Sequence, residues 1–162
     1  MSAGSQHKKS SGKPLAANRK ASFNFLLLEK FEAGIQLTGA EVKSIRAGNV
    51  SLNECFARID GGELYIHGMH VQPYSHSPVE SHNPIRTRKL LLHKREITKL
   101  IGQVAEKGRT IVPVKLYLTK RGFIKMEIAL GKGKQMADKR ESIKKRTADR
   151  EMAREVANRR KQ

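Results

Sequence analysis

Short runs in which apolar and polar residues alternate occupy the first half of the chain and predict β-strands. Residues 23–37 contain two such runs, with Gly34 as a bend or bulge. Residues 51–71 predict a hairpin that turns at Asp60-Gly61-Gly62, because glycine readily adopts the positive φ of such turns. A loop rich in Pro, Ser, His and Asn is expected from Pro73 to Pro84.

Two more strands are predicted at residues 110–118 and 122–130, and the Arg121-Gly122 turn between them indicates an antiparallel pair. Lys115 and Tyr117 are expected to point outward. Pro113 has no amide hydrogen to donate, so its strand has an edge or a bulge there. The inward residues are expected to be Val112, Val114, Leu116 and Leu118 in the first strand and Ile124, Met126, Ile128 and Leu130 in the second.

Helix signals separate these strands. Thr38 and Glu41 form a capping box at the start of a short helix, and Gly48 suits its left-handed end. Residues 94–107 predict a second, amphipathic helix. Its apolar positions fall at i, i+3, i+4 and i+7: Ile97, Leu100, Ile101 and Val104. The pattern therefore predicts a mainly β fold with flanking α-helices, a small OB-like antiparallel β-barrel.

The last segment, residues 131–162, has helical spacing but almost no apolar face. Ile143, Met152 and Val156 are too few for a continuous stripe, whereas Arg146, Arg150 and Arg154 recur at i, i+4 and i+8. Like charges at this spacing oppose an isolated helix. We expect a disordered basic tail that becomes helical when a polyanion binds. The alternative is a permanently solvated run of charge.

The net charge of the chain indicates that the barrel belongs to a polyanion-binding protein. The formal net charge is +18, of which residues 1–20 carry +5 and residues 131–162 carry +7. The predicted organisation is a flexible basic arm (1–17), a barrel body (18–130) and a basic tail (131–162). Nucleic acid is the default partner and an anionic membrane surface the alternative. No spanning segment or signal peptide is recognisable, so a cytoplasmic location is expected.

Candidate chemistry is sparse. His67, His70, His76 and His82 lie close in sequence, but their spacing matches no metal motif and no carboxylate cluster accompanies them. No phosphate-binding loop of the G-x-x-x-x-G-K-[ST] type occurs. The single Cys55 excludes an internal disulfide and a cysteine-based zinc cage. We therefore expect no catalysis, no metal and no cofactor.

Two basic stretches are candidate RNA contacts. Extended backbone at Arg86-Thr87-Arg88-Lys89 would project Arg86 and Arg88 to one side as a paired phosphate grip. The alternative is a solvated charged loop. Asn18-Arg19-Lys20, at the start of the first strand, is either a second contact or the end of the flexible arm.

Several long blocks resemble one protein family. They are residues 18–21, 31–49, 70–74, 83–97 and 131–140, and the similarity runs from about residue 15 to 146. The chain is similar to SmpB, the SsrA-binding protein of bacteria. The resemblance implies a non-enzymatic OB-like barrel, monomeric when free, that binds the tRNA-like part of transfer-messenger RNA (tmRNA, SsrA RNA). It also implies trans-translation, the rescue of ribosomes stalled on messages without a stop codon.

The resemblance further implies site residues. In the body these are Asn18, Glu32, Leu91 and Lys125. The tail would enter the decoding site and mRNA channel, and Gly133, Asp138, Lys139 and Arg140 would contact small-subunit rRNA. Ala137 replaces a stacking residue that is commonly aromatic or His, and Phe23 stands where a His is common. The competing hypotheses are a general rRNA-binding factor, a membrane-surface protein and an RNA-modifying enzyme.

Overall fold

The computed structural model describes residues 12–76 and 83–159, without the Arg159 side chain. His82 and most of the arm thus lie outside the described residues. The elements, in chain order, are β1 (Lys13–Ala17), α1 (Ala21–Asn24), β2 (Phe25–Ile35), α2 (Gly39–Arg46), β3 (Val50–Ser51), β4 (Phe56–Asp60), β5 (Glu63–His67), β6 (His70–Val71), β7 (Arg88–Leu91), α3 (Lys94–Val104), β8 (Arg109–Leu118), β9 (Ile124–Gly133) and α4 (Met136–Arg159).

An antiparallel barrel forms the centre of the described chain. The strand order is β1-β8-β4-β5-β7-β2-β9, and β9 returns to pair with β8, which closes the ring. Closure between β4 and β8 depends on one paired position, Ala57 with Ile111. Strands β3 and β6 form a separate ribbon. The predicted mainly β fold with flanking helices is confirmed.

The barrel interior is filled by one face of each strand. Leu64, Ile66, Leu90, Met126 and Ile128 are fully buried there, joined by Ile45 of α2 and Leu100 of α3. The capping box at Thr38 and Glu41 is confirmed, and Gly48 has a φ of 85° after α2. Helix α3 is also confirmed, although Ile101, expected to face the core, is 45% exposed.

The predicted break in the first strand is wrong. Strand β2 runs without interruption over 11 residues because β9 pairs along almost its whole length. Its register shift lies between Leu27 and Glu29 rather than at Gly34. Gly34 is a regular strand position, paired with both Leu91 and Lys125.

A bulge in β8 changes which residues face inward. The register with β9 shifts between Pro113 and Lys115, which confirms the irregularity predicted at this proline. Ile111 and Leu116 therefore both face the core, and the alternation changes phase between them. Val112, predicted to face inward, instead lies beside Gly131. A Cβ added at Gly131 would be 2.8 Å from the Val112 Cγ2.

The predicted segment boundaries also move. Lys13–Ala17, assigned to the flexible arm, forms β1 and pairs with β8, so the end of the arm belongs to the sheet. Strand β9 continues to Gly133, which pairs with Phe25, so the tail begins about three residues later than expected.

A buried carboxylate joins α2 to β7. Glu41 is fully buried, and besides capping Thr38 it accepts hydrogen bonds from two arginines. Arg86 donates to it through Nε at 2.8 Å and Nη2 at 2.5 Å, and Arg88 donates through Nε at 2.9 Å. The Arg88 Nη1 group also donates to the Met69 carbonyl at 2.8 Å.

This cluster corrects the prediction that Arg86 and Arg88 grip phosphate. The two side chains do project to one side, but their anion is Glu41. Arg88 is completely buried and has no donor facing solvent in this arrangement, so it acts as a structural residue. Arg86 keeps a third of its side chain exposed, and its predicted RNA contact stays a prediction.

The arginines determine the ionisation of Glu41. Burial raises the pKa of its carboxyl, but hydrogen bonds from Arg86 and the Thr38 backbone, with the charge of Arg88, outweigh this and lower the pKa to about 2. The ionised carboxylate therefore adds stability that is present above pH 4.5 and is lost as the pH falls towards 2.

We expect Glu41→Gln to lower the free energy of unfolding by about 3–5 kcal/mol at pH 7, because a buried arginine loses its counter-charge. Urea denaturation at pH 7 and pH 3 measures this, and the variant should lose less stability between the two pH values than the parent. The control is Glu106→Gln, since Glu106 forms an exposed pair with Arg109 at 2.7 Å. Equal losses in the two variants would contradict the central role of Glu41.

Candidate nucleic-acid interface

The outer surface of β7, β2, β9 and β8 brings together three of the residues implied by the family resemblance. Strand register aligns Leu91 with Gly34, Gly34 with Lys125, and Lys125 with Tyr117. Glu32 lies two residues before Gly34 and therefore on the same face. We call this surface, defined by Glu32, Leu91, Lys125 and Tyr117, the outer face.

Leu91 is a surface residue. Its side chain is 51% exposed, whereas its neighbour Leu90 is buried in the core. A Cβ at Gly34 would lie 3.3 Å from the Leu91 Cβ, so glycine leaves Leu91 room to lie against the β2 backbone. The alternation of inward and outward residues in β7 turns the Leu91 side chain outward.

The next row of this face contains two neighbouring carboxylates and a lysine. Glu32 pairs in register with Glu127, and Glu127 with Lys115. The Glu127 carboxylate lies 3.0 Å from the Lys30 Nζ and 3.5 Å from the Lys115 Nζ. Glu127 is therefore neutralised by two lysines, which leaves Glu32 as the exposed carboxylate of the row.

Tyr117 holds Glu32 in place. The Tyr117 hydroxyl donates a short hydrogen bond to the Glu32 Oε2, and the tyrosine is only 2% exposed. Burial and this hydrogen bond raise the pKa of the Tyr117 hydroxyl, so it stays protonated and continues to donate. Sequence reasoning predicted that Tyr117 points outward but could not identify its partner, 85 residues away.

Asn18 has a local structural role. Its Nδ2 donates to the Pro113 carbonyl at 3.0 Å, and its Oδ1 accepts from the Lys20 amide at 3.1 Å. These bonds attach the end of β1 to the bulge in β8. The adjacent Arg19 and Lys20 are exposed, and the Lys20 Nζ lies 3.6 Å from a Glu54 carboxylate oxygen.

Lys89 lies next to the outer face. It precedes Leu91 by two residues in β7, so the two side chains share one side of the strand. Its Nζ is 3.3 Å from a Glu63 oxygen, in a partly exposed pair. Such pairs contribute little to stability and can exchange partners readily.

Helix α4 contacts the body through the residues at its start and through Arg146. The Lys134 amide donates to the Asn24 carbonyl at 2.9 Å, and its Nζ donates to the Ser22 carbonyl at 3.0 Å. The Arg146 guanidinium lies 5.5 Å from the centre of the Phe23 ring. Beyond Arg146, the described part of α4 makes no hydrogen bond, ion pair or ring contact with the barrel.

The remainder of α4 presents charge to solvent. Asp138 accepts from the Gln135 amide at 3.3 Å at the helix start, and Arg140, Arg150 and Arg154 are exposed. The apolar residues of the helix are exposed as well: Met136, Ile143, Met152 and Val156. None of the described helices is long and apolar enough to cross a membrane.

Comparison with known proteins assigns the family. The family model described as SmpB protein matches residues 15–158. The chain belongs to the SmpB family. The SsrA-binding protein of Bacillus subtilis (strain 168) is 52% identical over 146 residues, which cover 90% of this chain and 93% of that protein. The SsrA-binding protein of Anoxybacillus flavithermus is 50% identical over 153 residues, covering 94% and 99%.

A solved structure agrees with this assignment to the SmpB family. A chain from the structure described as "tmRNA-SmpB: a journey to the center of the bacterial ribosome" matches with a TM-score of 0.62 at 43% identity. The match covers 78% of this chain and 92% of that chain. Tyr117 is the residue of the outer face that neither charge nor the SmpB resemblance had indicated.

We expect Tyr117→Phe to lower the free energy of unfolding by about 1.5–3 kcal/mol, because it removes a hydrogen bond to a charged group. The matched control is Tyr65→Phe, since the Tyr65 hydroxyl has no hydrogen-bond partner in the described part of the chain. Chemical denaturation of both variants measures the difference. Equal stability of the two variants would contradict a stabilising contact with Glu32.

Proposed function

We propose that this protein binds tmRNA through its barrel and acts in trans-translation, rescuing stalled ribosomes in the cytoplasm. The observation that carries the proposal is the outer face, where Glu32, Leu91 and Lys125 converge on the barrel of a chain about half identical to SsrA-binding proteins. The protein acts by binding and is not an enzyme. Among the described residues, no three His, Cys, Asp or Glu side chains could hold a metal ion.

The outer face offers three kinds of RNA contact. Lys125 supplies a positive charge for a phosphate. Glu32, oriented by Tyr117, can accept hydrogen bonds from a ribose 2′-hydroxyl or the amino edge of a base. Leu91 adds an apolar surface of fixed position. Shape, 2′-hydroxyl and phosphate contacts are the main means by which folded RNA is recognised.

Nearby basic residues add sequence-independent attraction. The exposed or partly exposed cations near the outer face are Arg19, Lys20 and Lys89, and a third of the Arg86 side chain is also exposed. Arg88 is fully buried and cannot contact RNA. With a net charge of +18, the protein attracts RNA over long range. Asn18 contributes by holding Arg19 and Lys20 at the end of β1.

The tail is suited to a second RNA, the small-subunit rRNA around the decoding site and mRNA channel. A helix of 24 residues is about 36 Å long, which is enough to reach well beyond the barrel. Arg146, Arg150 and Arg154 form one stripe along it. The proposed rRNA contacts at its root are Gly133, Asp138, Lys139 and Arg140. Ala137 offers no ring to stack on a base, so the exposed Met136 is the nearest apolar contact there.

We expect Lys125→Ala to weaken binding to tmRNA and to reduce the slope of log K against log salt by about one, as for the loss of one phosphate contact. Lys120→Ala is the matched control, because Lys120 is exposed on the β8–β9 turn and the net charge changes equally. Filter binding at several salt concentrations measures both. The same slope change in the two variants would contradict a specific contact at Lys125.

We expect truncation after Lys134, or reversal of Arg146, Arg150 and Arg154 to Glu, to leave tmRNA binding largely intact and to abolish peptide tagging on stalled ribosomes. The barrel keeps its outer face in both variants, whereas the tail loses its charge stripe. Reversal of Lys94, Arg95 and Lys107 is the charge-matched control and should preserve tagging. A parallel loss of tmRNA affinity and tagging would contradict the division of roles.

The free protein provides a further readout on these tail variants. Because α4 contacts the body only as far as Arg146, we expect residues 147–159 to be largely non-helical without RNA. Circular dichroism of the free reversal variant should therefore barely differ from that of the parent. A large loss of helix signal would show that the tail folds by itself.

A further inference from the structure

A cleft of about 290 Å³ lies between α1, the start of β2, the segment before β4 and the first half of β8. It is away from the outer face, because its β8 residues, Thr110 to Pro113, precede the bulge and Tyr117 follows it. Its volume is at the small end of the roughly 300–1,000 Å³ of small-molecule sites, which suits one planar group.

Two aromatic rings line the cleft. Phe56 is 53% exposed, and its ring is stacked on His67 with centroids 5.0 Å apart and planes inclined by 10°. The Thr87 Oγ1 lies 3.1 Å from the His67 Nδ1 and holds that ring in place. Phe25 is packed close to Gly131, where a Cβ would lie 3.2 Å from the Phe25 Cβ. The exposed ring of Phe56 is therefore a supported surface rather than a freely rotating side chain.

Unused polar groups accompany these rings. Asn24 and Thr110 both line the cleft, and within residues 12–76 and 83–159 their side chains make no hydrogen bond. An amide and a hydroxyl beside aromatic surfaces are the groups that read the edge of a stacked base.

The rim combines a cation with an acidic residue whose backbone has an unusual conformation. Lys20 and Glu54 line the cleft and are largely exposed, so their contact at 3.6 Å is weak. Glu54 has a φ of 62° and is the only non-glycine residue with positive φ among those described. Strained backbone of this kind is concentrated at functional sites.

We propose that this cleft binds one unpaired RNA base that carries an exocyclic amino group. The base stacks on Phe56, its edge meets Asn24 and Thr110, and its amino group donates to the Glu54 carboxylate, as a cytosine or adenine amino group can. Lys20 and the adjacent Arg19 attract the attached phosphates. Uracil lacks the amino group and binds less tightly.

The charge and the residue types of the lining indicate which ligand the cleft binds. An aromatic wall with a cation beside it, here Phe56 with Lys20, is an arrangement by which proteins hold single-stranded nucleic acid. The cleft also adjoins the root of the tail, because the Asn24 carbonyl accepts from the Lys134 amide. A nucleotide bound here would therefore lie near the start of α4 and beside Lys20, and not on the outer face.

The test is titration of isotope-labelled protein with the single-stranded hexamers A6, C6 and U6, followed by amide NMR. These oligonucleotides contain no tmRNA structure, so the result is independent of the proposed function. We expect shifts at Asn24, Phe56 and Thr110, and binding about tenfold weaker in Phe56→Ala, within the range for loss of one stacked base. Phe123→Ala, which removes another ring that is 62% exposed, is the control. Equal weakening in both, or shifts confined to other surfaces, overturns the proposal.

The variant Glu54→Gly distinguishes an effect on base recognition from an effect on stability. Glycine accommodates a positive φ, so we expect an unchanged or higher Tm. The same variant should lose the preference for A6 and C6 over U6, because it lacks the accepting carboxylate. A parent protein that binds all three hexamers equally, or a variant that keeps the preference, overturns the role of Glu54.

Discussion

The buried carboxylate of Glu41 makes the contacts on which the position of the strands of the outer face depends. Glu41 caps the first turn of α2 and accepts hydrogen bonds from both Arg86 and Arg88. One charged group therefore holds helix α2 against the start of β7. Once Arg88 points inward to Glu41, the alternation of the strand turns Leu90 into the core and Leu91 outward. The exposure of Leu91 on the outer face is thus a consequence of an ion pair inside the barrel.

Strand β8 supplies the second constraint. It pairs with β1, β4 and β9, so it both closes the barrel and borders the two candidate RNA surfaces. The bulge after Pro113 allows Ile111 and Leu116 to share the core. With a regular alternation through this point, Leu116 would face outward and Tyr117 inward, away from Glu32. One extra residue in the strand therefore places the hydroxyl that orients the carboxylate.

Local patterns in the sequence predicted local structure well. The capping box, the Gly61-Gly62 turn, α3 and the irregularity at Pro113 each depend on neighbouring residues, and each is present. Long-range partners could not be predicted in this way. The spacing of Arg86 and Arg88 indicated a shared anion, but only the fold shows that it is Glu41, about 45 residues earlier. Similarly, register alone brings Glu32, Leu91 and Lys125 together.

The outer face and the tail differ in how firmly the rest of the structure holds them. Strand register fixes the backbone of the outer face, and Tyr117 holds the Glu32 carboxylate, so a ligand at this face would have little of it to order. The tail has only the Lys134 hydrogen bonds and the Arg146–Phe23 contact, and an exposed cation–π pair contributes only about 0.5–1 kcal/mol. That is too little to order the 13 residues beyond Arg146, at about 1 kcal/mol or more each. The root therefore fixes only the start of α4, and within the described chain the helix beyond Arg146 is stabilised by no contact with the barrel.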